Sequence, residues 1–266
     1  MIALEKVEDE VSQLLPGTFA ANRNLSAVDL SDNQLDGLPA ELFRHNALLT
    51  QLKLSGNHIE ALHVDTFKAN RLLQELDLSD NPLLELPAGL LQHCPHLRSL
   101  NFSRTRVSAL HRTAFSRNAA LESLDLSSNS LQALPAALLP NHGRLSRLDL
   151  SSNQLRSIPE KLFSAAGGLR LLNLSHNGGC ALLAAWNPPE DSRAAGAGCF
   201  LEPAAYPAQG VAMVGSSAGR ASSRWKPYFQ CAPGDTFWES QAQTPKIAIM
   251  LAPRASRQKD EQVNCT

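Results

Sequence analysis

Residues 73–96 read LQELDLSDNPLLELPAGLLQHCPH, and this 24-residue pattern recurs without insertion or deletion. Its general form is L-x-x-L-x-L-x-x-N-x-L-x-x-L-P-x-x-x-F. Copies of a fixed length in this range predict a solenoid, in which each copy forms one turn and stacks on its neighbours. The seven copies open at Leu25, Leu49, Leu73, Leu97, Leu121, Leu145 and Leu169.

The alternating apolar residues at the start of each copy predict a β-strand with one buried face. A single copy cannot bury its own leucines, but stacked copies can, and their strands then pair into a parallel sheet. The second half of each copy is too short for a long helix and suits extended or short helical segments. The predicted fold class is an α/β repeat solenoid. The inward strand residues are Val28/Leu30, Leu52/Leu54, Leu76/Leu78, Leu100/Phe102, Leu124/Leu126, Leu148/Leu150 and Leu172/Leu174.

An asparagine follows the strand at one position in six of the seven copies. The chain there carries backbone N–H and C=O groups towards the interior, where they must be paired. A carboxamide can both donate and accept hydrogen bonds, so these side chains predict a ladder from turn to turn. Thr105 stands in this position in the fourth copy, and its hydroxyl predicts a weaker ladder there. The asparagines are Asn33, Asn57, Asn81, Asn129, Asn153 and Asn177.

The chain divides into four predicted segments. Residues 1–24 are read as a partial, degenerate repeat, and residues 25–177 hold the seven copies. Residues 178–205 are read as a C-terminal cap. Residues 206–266 are read as a cysteine-tethered tail that is flexible as far as about residue 224, because it is rich in Ala, Gly and Ser. Because the chain starts within a repeat and lacks an N-terminal cap, we expect a fragment of a longer protein.

Bulk composition is that of a folded protein. Apolar residues make up 43% and charged residues 18% of the 266 residues, and the net charge is -1. This balance does not indicate a nucleic-acid or acidic-membrane partner. The longest late apolar run, residues 247–252, is too short to span a bilayer. The N-terminus carries acidic residues where an export signal would be apolar.

Four of the five cysteines follow the last copy. In an irregular segment with few apolar residues they predict two disulfides in an oxidising compartment. The alternative is four free thiols in a cytosolic protein, and three pairings remain open. These cysteines are Cys180, Cys199, Cys231 and Cys265. The fifth, Cys94, shares a convex-side register with Asn46, Asn70 and Asn118 and is predicted to be an unpaired, partly buried thiol.

Signatures of enzymes and metal sites are missing from the sequence. It contains no P-loop or H-E-x-x-H motif. The run GSSAG at residues 215–219 has the form G-x-S-x-G, but residues 178–266 contain no histidine to complete a Ser–His site. His93, Cys94 and His96 are close together, but zinc needs four ligands and their spacing supplies no fourth. We therefore predict no catalytic residues, no metal and no cofactor.

The repeat resembles the typical 24-residue leucine-rich repeats of extracellular and cell-surface animal proteins, such as Slit, Toll-receptor ectodomains and small matrix proteoglycans. The resemblance covers residues 11–177 and implies a curved horseshoe with its parallel sheet on the concave face, which binds proteins and does not catalyse. Residues 177–186, NGGCALLAAW, resemble a degenerate C-terminal flanking cap. Cys180 and Trp186 have the family's spacing. Leu182 replaces a second cysteine, so the usual pair of cap disulfides cannot form.

The outward strand residues form the candidate binding surface. Their central column reads Asp, Lys, Asp, Asn, Asp, Asp, Asn from the first copy to the seventh. One interpretation is that Asp and Ser here are repeat consensus on a solvated face. The other is a protein-binding surface that suits polar or basic groups, with contacts at Gln51, Lys53, Glu75, Asp77, Asn101, Asp125, Arg147 and Asp149.

Four N-x-[ST] triplets mark candidate glycosylation sites, at Asn24, Asn101, Asn173 and Asn264. Glycans at Asn101 and Asn173 would obstruct the concave face. The preferred hypothesis is a non-enzymatic protein-interaction module, secreted or on a cell surface, without nucleic-acid ligand or membrane-spanning segment. The alternative is an intracellular repeat scaffold or regulatory subunit with reduced cysteines.

Overall fold

The computed structural model describes residues 2–4, 10–159 and 161–177, and the backbone of residues 211–216 and 224–229. The proposed cap at 178–205, the four cysteines after residue 178 and Asn264 lie outside these ranges. The division into four segments and the two disulfides therefore stay predictions.

Eight parallel strands form the sheet, and each comes from one turn of the chain. From β2 to β8 the residues that pair are equivalent positions of successive repeats, as Val28 and Leu52 are. This confirms the parallel sheet and the solenoid predicted from the period. The strands are β1 (Ile2–Leu4), β2 (Leu25–Asp29), β3 (Gln51–Lys53), β4 (Glu75–Asp77), β5 (Ser99–Asn101), β6 (Ser123–Asp125), β7 (Arg147–Asp149) and β8 (Leu171–Asn173).

An antiparallel hairpin extends the sheet beyond β8. It consists of β9 (Val211–Ser216) and β10 (Arg224–Phe229). β9 pairs with β8, which brings the sheet to ten strands in sequence order.

One continuous apolar core runs through all the turns. The central residue of each strand from Val28 to Leu172 is at most 2% exposed, because the period-2 alternation turns it inward. On the other side of the core Phe43, Phe67 and Phe115 are fully buried. The rings of Phe19 and Phe43 stack with their centroids 5.7 Å apart. Since each turn buries its apolar residues against the next, the turns stabilise one another.

The convex half of each repeat is built from tight turns. In the first repeat the Leu42 and Asn46 amides donate to the carbonyls three residues earlier, Pro39 and Phe43, at 3.0 and 3.1 Å. Bonds of this spacing are those of a 3₁₀ turn. The described part of the chain contains no α-helix. Short turns suffice because this half of the repeat only has to return the chain to the next strand.

In each turn the residue just before the ladder position adopts the left-handed backbone conformation. Only the second turn has a glycine there, Gly56, with φ of 66°. The other turns place ordinary residues in this region, which costs about 1 kcal/mol each and is best tolerated by Asp and Asn. They are Asp32, Asp80, Arg104, Ser128, Ser152 and His176, with φ between 52° and 55°.

The asparagines after the strands tie neighbouring turns together. The Asn57 Nδ2 donates to Leu30 O of the previous turn at 2.9 Å, and to Leu54 O and Ser55 O of its own turn at 3.0 and 3.3 Å. Its Oδ1 accepts from Leu35 N at 3.1 Å. We call this set the strand-side ladder. The same four contacts recur at Asn81, Asn129, Asn153 and Asn177.

Thr105 interrupts the strand-side ladder. Its hydroxyl lies 3.5 Å from Phe102 O and contacts Asn129 Oδ1, and its single proton can serve only one of them. By register an asparagine here would donate to Leu78 O and accept from Leu83 N. Within the described chain, Thr105 makes neither of these two inter-turn bonds.

A second set of buried side chains, which we call the convex ladder, links the turns on the opposite side. Asn46, Asn70 and Asn118 are fully buried. The Asn70 Nδ2 donates to Phe43 O at 3.2 Å and to Asn46 O at 2.9 Å, both in the previous turn. The sequence showed that these positions share a register, but their burial and bonding were not predicted. The recurrence of asparagine at the repeat period was the sequence signal from which this burial and bonding could have been predicted.

Cys94 occupies the convex ladder and is more buried than predicted. Its free thiol is 0% exposed, with Sγ 3.8 Å from Phe67 O, because this position points between the stacked turns. Burial raises the pKa of the thiol to about 12. Cys94 is therefore a neutral side chain of the core, in the place that an asparagine holds in the adjacent turns.

His142 occupies the convex ladder two turns after Cys94, directly after Asn118. It is fully buried, and neither ring nitrogen has a well-formed hydrogen bond to a described residue. Burial lowers the pKa of His142, and the nearby carbonyls of Leu139 and Phe115 oppose this only in part. A charged imidazolium is thus disfavoured at this position.

Replacing Thr105 with asparagine should stabilise the protein. The carboxamide restores the bonds to Leu78 O and Leu83 N, and each buried hydrogen bond contributes about 0.5–1.5 kcal/mol. We expect Thr105→Asn to raise the free energy of unfolding by about 1 kcal/mol in guanidinium titrations. Asn81→Thr is the matched control and should lower it by about as much or more. Equal stabilities of Thr105→Asn and the unmodified chain would show that the ladder is not weakened at Thr105.

Acid should destabilise the fold through His142. The folded-state pKa of His142 lies below the ordinary value of 6.5. The stability that depends on a neutral His142 is therefore fully present above pH 6.5 and is lost as the pH falls towards the folded-state pKa. The unfolded chain takes up the proton first. His142→Asn introduces the residue that the preceding turn has at this position, Asn118, and cannot titrate. Unfolding titrations from about pH 7 to 5 should show a smaller loss of stability in His142→Asn. Parallel pH curves for the two proteins would contradict this assignment.

Candidate functional site: the concave strand face

The repeat register brings the outward strand residues into straight columns across the sheet. We call the middle one of these columns the concave column. Its members pair as direct neighbours from β2 to β8. Adjacent strands lie about 4.8 Å apart, so neighbouring side chains can contact each other. The concave column consists of Asp29, Lys53, Asp77, Asn101, Asp125, Asp149 and Asn173.

The eight proposed contact residues lie on five adjacent strands, β3 to β7. Gln51, Glu75 and Arg147 stand in the column two residues before the concave column, and the other five belong to the concave column itself. All eight are partly or fully exposed. The structure therefore brings them onto one surface, and their role in binding stays a prediction.

Lys53 is bound to the first member of the column. Its Nζ lies 3.0 Å from Asp29 Oδ2, and the two side chains are 46% and 22% exposed. The hydrogen bond to Asp29 and its charge raise the pKa of Lys53. Burial by itself would raise the pKa of Asp29, but hydrogen bonds from Ser31 and Lys53 outweigh it and lower that pKa. A pair this exposed contributes at most about 1 kcal/mol, so Lys53 could exchange Asp29 for a ligand.

Most acids of the concave column also hold the turn that follows their strand. Asp77 Oδ1 accepts hydrogen bonds from the amide and the hydroxyl of Ser79, at 3.0 and 2.6 Å. Asn101 binds Ser103 in the same way, at 3.2 and 2.8 Å. The same pair of bonds recurs at Asp29 and Asp149. The Asp-x-Ser consensus thus has a structural reason, which supports the interpretation of these residues as part of the repeat.

Each carboxylate nevertheless retains a second oxygen. Among the described residues, the Oδ2 atoms of Asp77 and Asp125 accept no hydrogen bond. Asp149 Oδ2 accepts from Asn173 Nδ2 at 2.9 Å. Asp125 and Asp149 are direct neighbours, and Arg147 forms no ion pair with a described residue. Asp77 and Asp125 are therefore each held by one carboxylate oxygen, while the other oxygen forms no hydrogen bond with a described residue.

Further polar contacts cross from turn to turn beside the column. Gln51 Nε2 donates to Glu75 Oε2 at 2.8 Å. An ion pair joins Arg98 to Glu122 at 3.7 Å. This ion pair was not predicted from the sequence, although opposite charges one repeat apart were a usable signal. Both contacts are exposed, so they orient the side chains more than they stabilise the fold.

Other kinds of site are not found in the part of the chain that the structure describes. No three His, Cys, Asp or Glu side chains there converge to hold a metal ion. Nor does it contain a helix long and apolar enough to cross a membrane. Of the sequence-predicted glycosylation sites, Asn24 lies just before β2, and Asn101 and Asn173 lie in the concave column.

Family comparison matches most of the chain. The model described as "Leucine rich repeat" matches residues 9–59, 48–107, 71–131, 95–142 and 120–178, which together cover more than half of the 266 residues. Comparison with curated proteins gives no significant match.

Several solved structures share the fold. The chain is similar to the TLR13–ssRNA13 complex, with a TM-score of 0.59, 25% identity, and coverage of 70% of this chain and 25% of that chain. The Drosophila Toll–Spatzle complex aligns with a TM-score of 0.50 and 25% identity, over 63% of this chain and 29% of that chain. Its glycosylated form aligns with 0.55 and 30% identity, over 64% and 26%. The chain therefore spans about a quarter of the length of these structures.

Removing the carboxylate of Asp77 should destabilise the protein, whereas neutralising it should not. Asp77→Ala leaves the amide and hydroxyl of Ser79 without their acceptor, and Ser79 is only 5% exposed. We expect a loss of about 1–2 kcal/mol in the free energy of unfolding. Asp77→Asn should stay near the unmodified protein, because Asn101 holds Ser103 in this way. A loss for Asp77→Asn as large as that for Asp77→Ala would show that the charge, and not the acceptor, stabilises the turn.

Proposed function

Because the chain belongs to the leucine-rich repeat family, we propose that it is a non-enzymatic protein-interaction module that acts at the cell surface or outside the cell. Its ligand is a protein bound on the concave face of β2 to β8. The contacts proposed for this ligand are Gln51, Lys53, Glu75, Asp77, Asn101, Asp125, Arg147 and Asp149.

The observation that carries this proposal is a pair of aspartates in the concave column, each of which uses only one carboxylate oxygen for hydrogen bonds to described residues. Asp77 and Asp125 are each fixed by Oδ1 to their own turn, and their Oδ2 atoms accept no hydrogen bond from a described residue. A carboxylate that is already oriented loses little side-chain entropy when a ligand binds it. Such groups favour charge-assisted hydrogen bonds from lysine and arginine.

The charge of the column also indicates the class of ligand. Four of its seven members are aspartates, and its one lysine is bound to Asp29. A nucleic acid carries a dense row of phosphates that needs Lys and Arg, so this surface disfavours it. The TLR13 structure is a complex with single-stranded RNA, and the Toll structures are complexes with the protein Spatzle. The electrostatics of this face match the second kind of ligand, a protein with basic and polar residues at its contact.

An extracellular setting is supported by several independent features. The similar solved structures belong to Toll and TLR13, and one is a glycosylated form. The chain holds four cysteines after residue 178 and four N-x-[ST] triplets, which suit an oxidising, glycosylating compartment. The alternative, an intracellular scaffold, would use the same concave face with reduced cysteines.

Neutralising two acids of the concave column tests the proposed contact without disturbing the turns. Asp77→Asn combined with Asp125→Asn keeps both Oδ1 acceptors and removes two charges. A displayed peptide library selected on the unmodified protein should yield sequences rich in Lys and Arg. Their affinity should fall about tenfold for the double variant, since two exposed ion pairs contribute about 1.4 kcal/mol together.

The control is Glu41→Gln on the convex side, whose carboxylate binds Arg44 at 2.9 Å and is 66% exposed. This variant should bind the selected peptides as tightly as the unmodified chain. Equal binding by all three proteins, or tighter binding of single-stranded RNA than of any basic peptide, would overturn the proposed contact.

A further inference from the structure

Three N-x-[ST] triplets fall within the described chain, and their asparagines have different surroundings. The triplets are Asn24-Leu25-Ser26, Asn101-Phe102-Ser103 and Asn173-Leu174-Ser175. An N-linked glycan is attached to the side-chain nitrogen of asparagine and needs space and solvent around it. The hydrogen bonds and position of each amide therefore decide whether the folded protein can carry a glycan there.

The amide of Asn101 is part of the turn after β5. Its Oδ1 accepts from the amide and hydroxyl of Ser103, the serine of its own triplet. Ser103 and Ser26, the serine of the Asn24 triplet, are equally buried, so the serines do not distinguish the two sites. The neighbours of Asn101 on the adjacent strands are Asp77 and Asp125, about 4.8 Å away on either side. A sugar at Asn101 Nδ2 would start between these two side chains and cover the centre of the concave column.

Asn173 is held even more firmly. Its Oδ1 accepts from Ser175 N at 3.1 Å, and its Nδ2 donates to Asp149 Oδ2 at 2.9 Å. Attachment of a glycan to Nδ2 replaces one of its hydrogens and crowds the bond to Asp149. A glycan would leave both Oδ1 acceptors in place. What it would disturb is the space around each amide nitrogen, between Asp77 and Asp125 at Asn101 and against Asp149 at Asn173.

Asn24 lies outside the concave column and is exposed. Its backbone carbonyl accepts from Ile2 N at 3.3 Å, whereas its side chain forms no hydrogen bond with any described residue. The same register in the next two turns is filled by Leu48 and Leu72, which are 48% and 42% exposed. Three consecutive turns thus present this position to solvent, at the lateral edge just before the strands.

We propose that Asn24 is a glycosylation site, and that Asn101 and Asn173 remain unmodified in the folded protein because their amide nitrogens lie against neighbouring aspartates of the concave column, Asp77 and Asp125 beside Asn101 and Asp149 beside Asn173. This inference rests on the proposed extracellular function. It also gives the glycan a position that leaves the concave face open to a protein ligand.

Glycosylation can be mapped on the full chain, expressed behind a heterologous export signal in mammalian cells. The secreted, folded protein is deglycosylated by an amidase in heavy-oxygen water, which converts each modified asparagine to a labelled aspartate. Trypsin then cleaves after Lys and Arg, which puts each triplet on a different peptide. These peptides are residues 24–44, 99–104, 171–193 and 260–266. The label should appear in most copies of peptide 24–44 and not in peptides 99–104 and 171–193.

Single-site variants test independently which asparagine carries the glycan. Asn24→Gln should remove one glycan from the mass of the secreted protein and leave its thermal unfolding temperature nearly unchanged. Asn101→Asp removes one triplet, keeps the Oδ1 acceptor for Ser103, and should not change the glycan mass of the secreted protein. Label at Asn101 or Asn173, or an unlabelled Asn24, would overturn the inference.

The proposed extracellular function and the proposed glycosylation site can be refuted independently. If the protein in its native cells is found only in the cytosol, the extracellular proposal is wrong, whereas the mapping after directed export still tests whether the geometry selects Asn24. Occupancy of Asn24 alone supports the site in either case. Occupancy of the concave asparagines refutes it even if the protein is secreted naturally.

Discussion

Pairing of buried backbone groups is the constraint on which this structure depends. Each turn carries amides and carbonyls into the interior, and a turn this short contains too little regular structure to pair them all. Buried side chains supply the missing partners. In the strand-side ladder Asn57 joins Leu30 O to Leu35 N, and in the convex ladder Asn70 joins Phe43 O to Asn46 O. Both ladders connect a turn to the one before it, so the polar bonds follow the same direction as the apolar core.

The candidate binding surface is a consequence of these internal bonds. Because asparagines and leucines inside the solenoid hold the turns together, the outward strand residues are needed only for the turn at the end of each strand. Asp77 performs that task with one oxygen. The same side chain can therefore be both repeat consensus and ligand contact, and the two interpretations of the concave column are compatible.

The positions of the strands and the columns of the concave face could be predicted from the period alone. A constant repeat length with no insertion determines which side chains become neighbours, as Asp125 and Asp149 show. The depth of Cys94 and His142 could not be predicted in this way. Cysteine and histidine are frequent in exposed turns, and their burial here depends on how the convex turns stack, which the alternation of leucines does not encode. The hydrogen bond from Ser79 to Asp77 was missed because it depends on a side-chain rotamer. The ligand itself stays beyond the sequence, since Asp and Ser serve the turns whether or not a ligand binds.

The common offset of the two ladders limits how such a chain can evolve. Asn57 and Asn46 each reach a carbonyl 27 residues earlier, Leu30 and Phe19, on opposite sides of the core. Gain or loss of a single residue within a repeat would shift at least one ladder out of phase with its neighbours. Gain or loss of a whole repeat restores both at once. Duplication of a whole repeat therefore keeps both ladders in phase, whereas a small insertion does not. The uninterrupted spacing from Leu25 to Leu169 is the pattern that this constraint favours.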